Sequence, residues 1–141
     1  MKKSPLLTIF YILIGVFLVI ISMLFVPLIN ESVNGPITLL PFILFSLLGG
    51  YLLILTKKSK IKGTQKKLLM LTGVSALAFF IGILLHNVFY GIAIVTGHIP
   101  ALKHIFEFLH AAFFIIAMLV SPLGYLVGTI GSIVFFIKTK K

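Results

Sequence analysis

The side chains able to transfer a proton or bind a metal lie in one short stretch of the sequence. All four histidines and one of the two acidic residues fall there. His86, Asn87 and Tyr90 come first, and Glu107 and His110 follow. Histidine titrates near neutral pH and is a common metal ligand, and a carboxylate can serve in both roles. We treat these five residues as a candidate polar layer.

A turn signal divides this stretch into two halves. The sequence 97–100 reads Gly-His-Ile-Pro, and Gly ends helices while Pro resists continuing one. His86 and His110 each lie twelve positions from His98, so an antiparallel helical hairpin centred there brings them to the same depth. The other members of the layer fall within one turn of this pair.

Several interpretations of the layer remain open. The first is structural, because a histidine on a packing face commonly donates to a neighbouring carbonyl or side chain. The second is a proton- or ion-coupled path through His86, Glu107 and His110. The third uses the same three side chains to bind Zn²⁺ or Fe²⁺, or the two histidines as axial haem ligands. Lys103 and Glu107 are also spaced for an exposed ion pair at the wet end of a helix.

The motifs around the layer match no enzyme that we can name. His-x-x-Glu-x-x-His, centred on Glu107, is neither the His-Glu-x-x-His of zincins nor the Glu-x-x-His of di-iron bundles. The chain has no cysteine, which excludes disulfides, thiolate metal sites and cysteine nucleophiles. We therefore predict no catalytic residue and no bound cofactor.

The composition is that of a membrane protein. Hydrophobic residues make up 60% of the 141 residues and charged residues only 10%, against about 25% charged in soluble domains. Four apolar runs are long enough to cross a bilayer, whose hydrocarbon core is ~30 Å thick. We predict an all-α polytopic protein, a single transmembrane domain of four helices in two antiparallel hairpins. The predicted spans are about 5–27, 38–56, 68–96 and 102–137, with loops at 28–37, 57–67 and 97–101.

The last two runs are longer than a perpendicular crossing requires. They must tilt, kink or extend beyond the membrane. We expect a bend at Pro122, because proline inside a helix leaves a backbone carbonyl without its partner.

The lysines predict the orientation of the chain. All twelve basic residues are lysines, and most lie near the two termini and in the loop 57–67. By the positive-inside rule these regions are cytoplasmic, where they meet anionic lipid headgroups. The lysines are not interleaved with aromatic residues on a helix, so we predict no nucleic-acid partner. The absence of arginine is typical of an AT-rich bacterial genome and favours a bacterial cytoplasmic membrane.

Small residues mark the faces where the last two helices should pack together. Gly, Ala and Ser allow membrane helices to approach closely, and Gly-x-x-x-Gly is a common packing motif. We favour packing within the chain over a homodimer seam. The predicted packing positions are Gly82, Ser121, Gly124 and Gly128.

The stretches 85–87 (Leu-His-Asn) and 121–128 (Ser-Pro-Leu-Gly-Tyr-Leu-Val-Gly) resemble small prokaryotic membrane-protein families without an assigned function. This resemblance implies the same multi-span fold and contributes no substrate or active site. Three hypotheses follow from the residues. The leading one is a non-enzymatic protein that packs with a membrane-protein partner, self-associates or supports the envelope. The alternatives are a small proton- or solute-coupled transporter that uses the His/Glu layer, and a metal- or haem-binding membrane protein.

Overall fold

The chain is all-helical in the residues that the structure, a computed structural model, describes: 5–25 and 39–138. No strand occurs in these two segments. Four helices are long and apolar enough to cross a membrane, which confirms the predicted fold class and makes the chain a multi-pass membrane protein. The elements are α1 (Pro5–Phe25), α2 (Leu40–Lys58), α3 (Gly63–Val95), α4 (Pro100–Ile115), a π-helical turn (Ile116–Val120) and α5 (Ser121–Lys138).

The fourth span is the continuous unit α4–π–α5. The predicted loop 28–37 lies outside the described residues, and so do the terminal lysines. These are Lys2, Lys3, Lys140 and Lys141.

The helices extend further into the lysine-rich loop than the apolar runs predict. The sequence predicts a loop over 57–67, whereas only 59–62 lie between α2 and α3. Lysine is a good helix former, and its long stem lets the ammonium reach headgroups from a helix end. Lys57 and Lys58 lie in the last turn of α2, where the helix dipole favours cations. We call this end of the bundle the lysine-rich side and the other end the far side.

Helix α3 is the centre of the bundle. It packs against α2, α4 and α5, while the backbone of α1 approaches that of α2. The side chains of α1 also reach α5, because the rings of Phe17 and Tyr125 lie 4.5 Å apart. Phe10, Leu52 and Leu69 are completely buried in this core.

Glycines set the closest crossings. A Cβ on Gly128 would lie 2.6 Å from Thr72 Oγ1 and 2.9 Å from the Leu68 carbonyl oxygen. A Cβ on Gly124 would lie 2.5 Å from Ser75 Oγ. The Gly-x-x-x-Gly face of α5 is therefore occupied by α3 of the same chain, in the way the small residues predict.

The fourth span contains a π-helical turn beside its proline. The amide of Ser121 bonds the carbonyl of Ile116, five residues back, instead of the usual four. Pro122 follows immediately and has no N–H to donate, so it interrupts the ladder of helical hydrogen bonds. The irregularity that the sequence places at Pro122 thus takes the form of a π turn just before it.

The described helices of the two hairpins have unequal lengths. At ~1.5 Å per residue, α1 and α2 extend ~31 and ~28 Å, whereas α3 extends ~50 Å and the fourth span ~58 Å. The hairpins are aligned at the lysine-rich side, where α2 passes to α3 through the short loop 59–62 and Gly131 of α5 packs on Leu68. The excess length of the second hairpin therefore lies at the far side.

Candidate functional site

The candidate site is built on the far-side half of α3 and on α4, which a tight turn joins. Thr96 closes α3 by donating its hydroxyl to the Ile92 carbonyl at 2.8 Å. The amide of Ile99 then donates to the Thr96 carbonyl at 2.9 Å. Pro100 starts α4 at a position where the fixed φ of proline suits a helix. The turn lies where the Gly-His-Ile-Pro signal predicts it.

His86 and His110 meet across this hairpin. His86 Nδ1 lies 2.9 Å from the backbone carbonyl oxygen of His110 and 3.0 Å from His110 Nδ1. Because a carbonyl oxygen only accepts, the hydrogen is on His86 Nδ1, and His110 Nδ1 must be the acceptor in the second contact. The register that places both residues twelve positions from His98 predicts this pairing.

Aromatic rings surround the histidine pair. The two imidazole rings lie 4.7 Å apart by their centroids. Phe114 packs against His86 at 5.3 Å, and Tyr90 packs against His110 at 5.4 Å. Both histidines are half-buried, so the pair lies between the core and the far-side surface.

A close helix crossing lies on the lysine-rich side of the pair. A Cβ on Gly82 would lie 3.0 Å from the Cβ of Ala117, and Ala117 is almost fully buried. From this crossing to Lys67 of α3 and Lys138 of α5, neither helix carries a histidine or a charged residue. The histidines and charged residues of the described chain therefore fall into two separate sets, one at each side.

Glu107 is engaged by residues of its own helix. Its carboxylate lies 3.8 Å from Lys103 Nζ and 3.5 Å from His104 Nδ1. These are the i,i+4 and i,i+3 neighbours on α4, and the Lys103 and Glu107 side chains remain nearly half exposed. An ion pair with this exposure contributes about 0–1 kcal/mol to stability. The spacing predicts the ion pair.

The layer opens to the far side as a cleft of about 320 Å³ between the ends of α3 and α4. We call it the far-side cleft. Three members of the predicted layer contribute to its wall, and Lys103 adds a positive charge. The lining residues are Tyr90, Ala93, Ile94, Gly97, Lys103, Glu107 and His110.

Asn87 does not join the cleft. Its side-chain amide donates to the Ile83 carbonyl at 2.8 Å, one turn back on its own helix, and the residue is exposed. The sequence places Asn87 next to His86, but adjacent helical residues point about 100° apart. Asn87 therefore lies at the same depth along α3 as His86 but on a different face of the helix.

The arrangement does not fit the metal or haem hypotheses. Among the described residues, no three His, Asp or Glu side chains come together as a metal-binding group, and this includes His86, Glu107 and His110. An axial haem iron lies between the two histidine rings that bind it. The imidazoles of His86 and His110 instead contact each other directly, with ring centroids 4.7 Å apart, which leaves no room for a porphyrin between them.

Comparison with protein-family models, with curated proteins and with solved structures finds no match.

One set of buried hydroxyl groups was not predicted from the sequence. Hydroxyls are buried without a hydrogen-bond partner on one face of α5 and at the end of α2, in the lysine-rich half of the bundle. The Tyr125 hydroxyl has Thr129 as a side-chain neighbour, without forming a hydrogen bond of good geometry. On α5 these residues recur at i, i+4, i+8 and i+11, and this spacing indicates that they share one face of the helix. The residues are Thr56, Ser121, Tyr125, Thr129 and Ser132.

Proposed function

We propose that this chain is a small, non-enzymatic protein of a bacterial cytoplasmic membrane that acts by packing against another membrane protein through α4. The lysine-rich side is cytoplasmic in this proposal, because cytoplasmic loops carry the lysine excess. Both termini then lie in the cytoplasm and the far side faces outward.

The exposure of α4 carries the proposal. None of its sixteen residues is buried, whereas α3 has seven buried residues between Leu69 and Gly82. Phe108 is 73% exposed and Ile105 is 54% exposed. Large apolar side chains on an unpaired helix face are typical of protein and membrane contact sites.

The unequal lengths of the hairpins support a protein partner in addition to lipid. Helices α1 and α2 already match the ~30 Å hydrocarbon core. The second hairpin continues past them on the far side, so part of the apolar surface of α4 exceeds what a perpendicular crossing needs to cover. A partner helix packed along α4 would cover that surface.

The experiment places a photo-crosslinking amino acid at Phe108 in the full-length chain in cells. Leu47 on α2 is the matched control, because it is 66% exposed on a helix of ordinary length. We expect a discrete protein adduct from position 108 and none from position 47, and we expect Ile105→Asn to abolish it. Equal patterns from both positions would reject the proposal, and an adduct of twice the mass of the chain would identify the partner as a second copy.

A second candidate is a proton-coupled transport module, favoured by one observation. His110 both contacts His86 and lines the far-side cleft, so protons from the far side have access to the pair. The close Gly82–Ala117 crossing and the lack of histidines and charged residues on α3 and α5 between it and the lysines weigh against a path through one copy. Proton flux into liposomes that is equal for wild type and His86→Ala would remove this candidate.

A further inference from the structure

The far-side cleft contains opposite charges that are adjacent without being hydrogen-bonded to each other. Lys103 Nζ and Glu107 Oε1 are 3.8 Å apart, beyond the ~3.2 Å limit of a good N–H···O bond. The ammonium therefore keeps donors, and the carboxylate keeps acceptors, for a third group. Both side chains line the cleft, so that group would bind inside it.

The charge pattern selects a zwitterion. Glu107 is the only acidic residue in the described part of a chain with a net charge of +10, so it is a locally distinctive site for a cation. Tyr90 is half exposed and lines the same cleft, and a tyrosine ring face attracts an ammonium group. Lys103 lies in the first turn of α4, where the positive end of the helix dipole also favours an anion. A ligand with an ammonium and a phosphate a few bonds apart satisfies both ends.

The depth of the cleft matches the headgroup region of a bilayer. Counting from Leu68 at ~1.5 Å per residue, Tyr90 lies ~33 Å from the start of the apolar run. The hydrocarbon core is ~30 Å thick, so the cleft begins where that core ends. Ala93 and Ile94 supply apolar wall beside the charged pair, which suits a headgroup attached to a glycerol backbone.

From these features we propose that the far-side cleft binds a phosphoethanolamine group, with the phosphate on Lys103 and the ammonium between Glu107 and Tyr90. The source that the depth favours is phosphatidylethanolamine of the far-side leaflet, and free phosphoethanolamine carries the same chemistry. This site is separate from the exposed face of α4 around Phe108, so it does not depend on the partner contact.

The test measures lipid binding to the purified full-length protein in detergent by native mass spectrometry. The probes are phosphatidylethanolamine and phosphatidylglycerol with the same acyl chains. We expect Glu107→Gln to weaken phosphatidylethanolamine binding roughly tenfold, which corresponds to about 1.4 kcal/mol, without weakening the binding of the anionic phosphatidylglycerol. Lys103→Gln should weaken both lipids, because both carry a phosphate.

Lys67→Gln is the matched control, since it removes one lysine at the lysine-rich side and should leave phosphatidylethanolamine binding unchanged. Glu107 is exposed and makes only surface contacts, and a circular dichroism spectrum identical to that of wild type verifies that its variant is folded. The proposal would be overturned if Glu107→Gln left the ratio of the two lipid affinities unchanged. Displacement of bound lipid by free phosphoethanolamine would support the site with a soluble ligand, and failure to displace it would support the lipid.

Discussion

Gly128 of α5 lies so close to Thr72 of α3 that a Cβ on the glycine would stand 2.6 Å from the threonine hydroxyl and 2.7 Å from its backbone nitrogen. Real Cβ atoms do not approach backbone atoms this closely, so the two helices touch because the glycine has no side chain. The contact lies on the lysine-rich half of the bundle, among the buried residues of α3 and α5.

Gly128→Ala should therefore destabilise the bundle by about 1–3 kcal/mol, as overpacking does in other cores. Gly15→Ala is the control, because a Cβ at Gly15 meets nothing within 4 Å. Alanine is the better helix former, so Gly15→Ala should stabilise by up to about 1 kcal/mol. Unfolding in mixed detergent micelles, followed by circular dichroism, measures both. If both substitutions changed the free energy of unfolding in the same direction, the close contact between Gly128 and Thr72 would not explain the effect.

Tyr125→Phe tests the buried hydroxyls. The Tyr125 side chain is 1% exposed and its hydroxyl has no hydrogen bond, while its ring packs on Phe17 and Phe45. Removing an unsatisfied buried hydroxyl should be neutral or stabilising, whereas Tyr125→Ala also removes the ring and should cost about 3–5 kcal/mol. The same micelle unfolding assay separates them. A large loss of stability in Tyr125→Phe would show that the hydroxyl has a partner, such as a buried water.

His86→Ala should loosen α4 from α3. The variant removes the donor to the His110 carbonyl, and such a hydrogen bond contributes about 0.5–1.5 kcal/mol. Because α4 has no buried residue of its own, we expect its backbone amides to exchange with deuterium faster by roughly two- to tenfold. His104→Ala is the control, since the His104 side chain is 78% exposed. Unchanged exchange in His86→Ala would mean that the pair does not hold the hairpin.

The sequence predicted the features that depend on composition and on one turn. Hydropathy and length are enough for four helices, and the position of His98 is enough for the pairing of His86 with His110, because a tight hairpin leaves little freedom of register. Predicting the lining of the far-side cleft requires information that the sequence spacing does not contain. Whether Asn87 and Glu107 face the pair depends on helix rotation, and spacing along the sequence does not determine rotation.

The lysine-rich half was harder to predict for a similar reason. Gly128 contacts Thr72 and Gly124 contacts Ser75. These contacts depend on how the packing face of α3 rotates about the helix axis along its whole length. The predicted packing positions include only one on α3, Gly82, and that glycine faces Ala117 of the π turn. The π turn was not predicted either, since a proline is compatible with a kink, a π turn or a regular helix.

The π turn before Pro122 gives the fourth span an unusual tolerance to changes in length. A π turn accommodates one residue more than an α-helix needs, while the helices on both sides keep their directions and faces. Deleting one residue from Ile116–Val120 should therefore convert the π turn into regular α-helix. The histidine pair and the contacts of Gly124 and Gly128 with α3 should both be kept. Deleting one residue elsewhere in α4 or α5 would rotate everything beyond it by about 100°. Homologues whose fourth span is one residue shorter should carry that deletion at this turn.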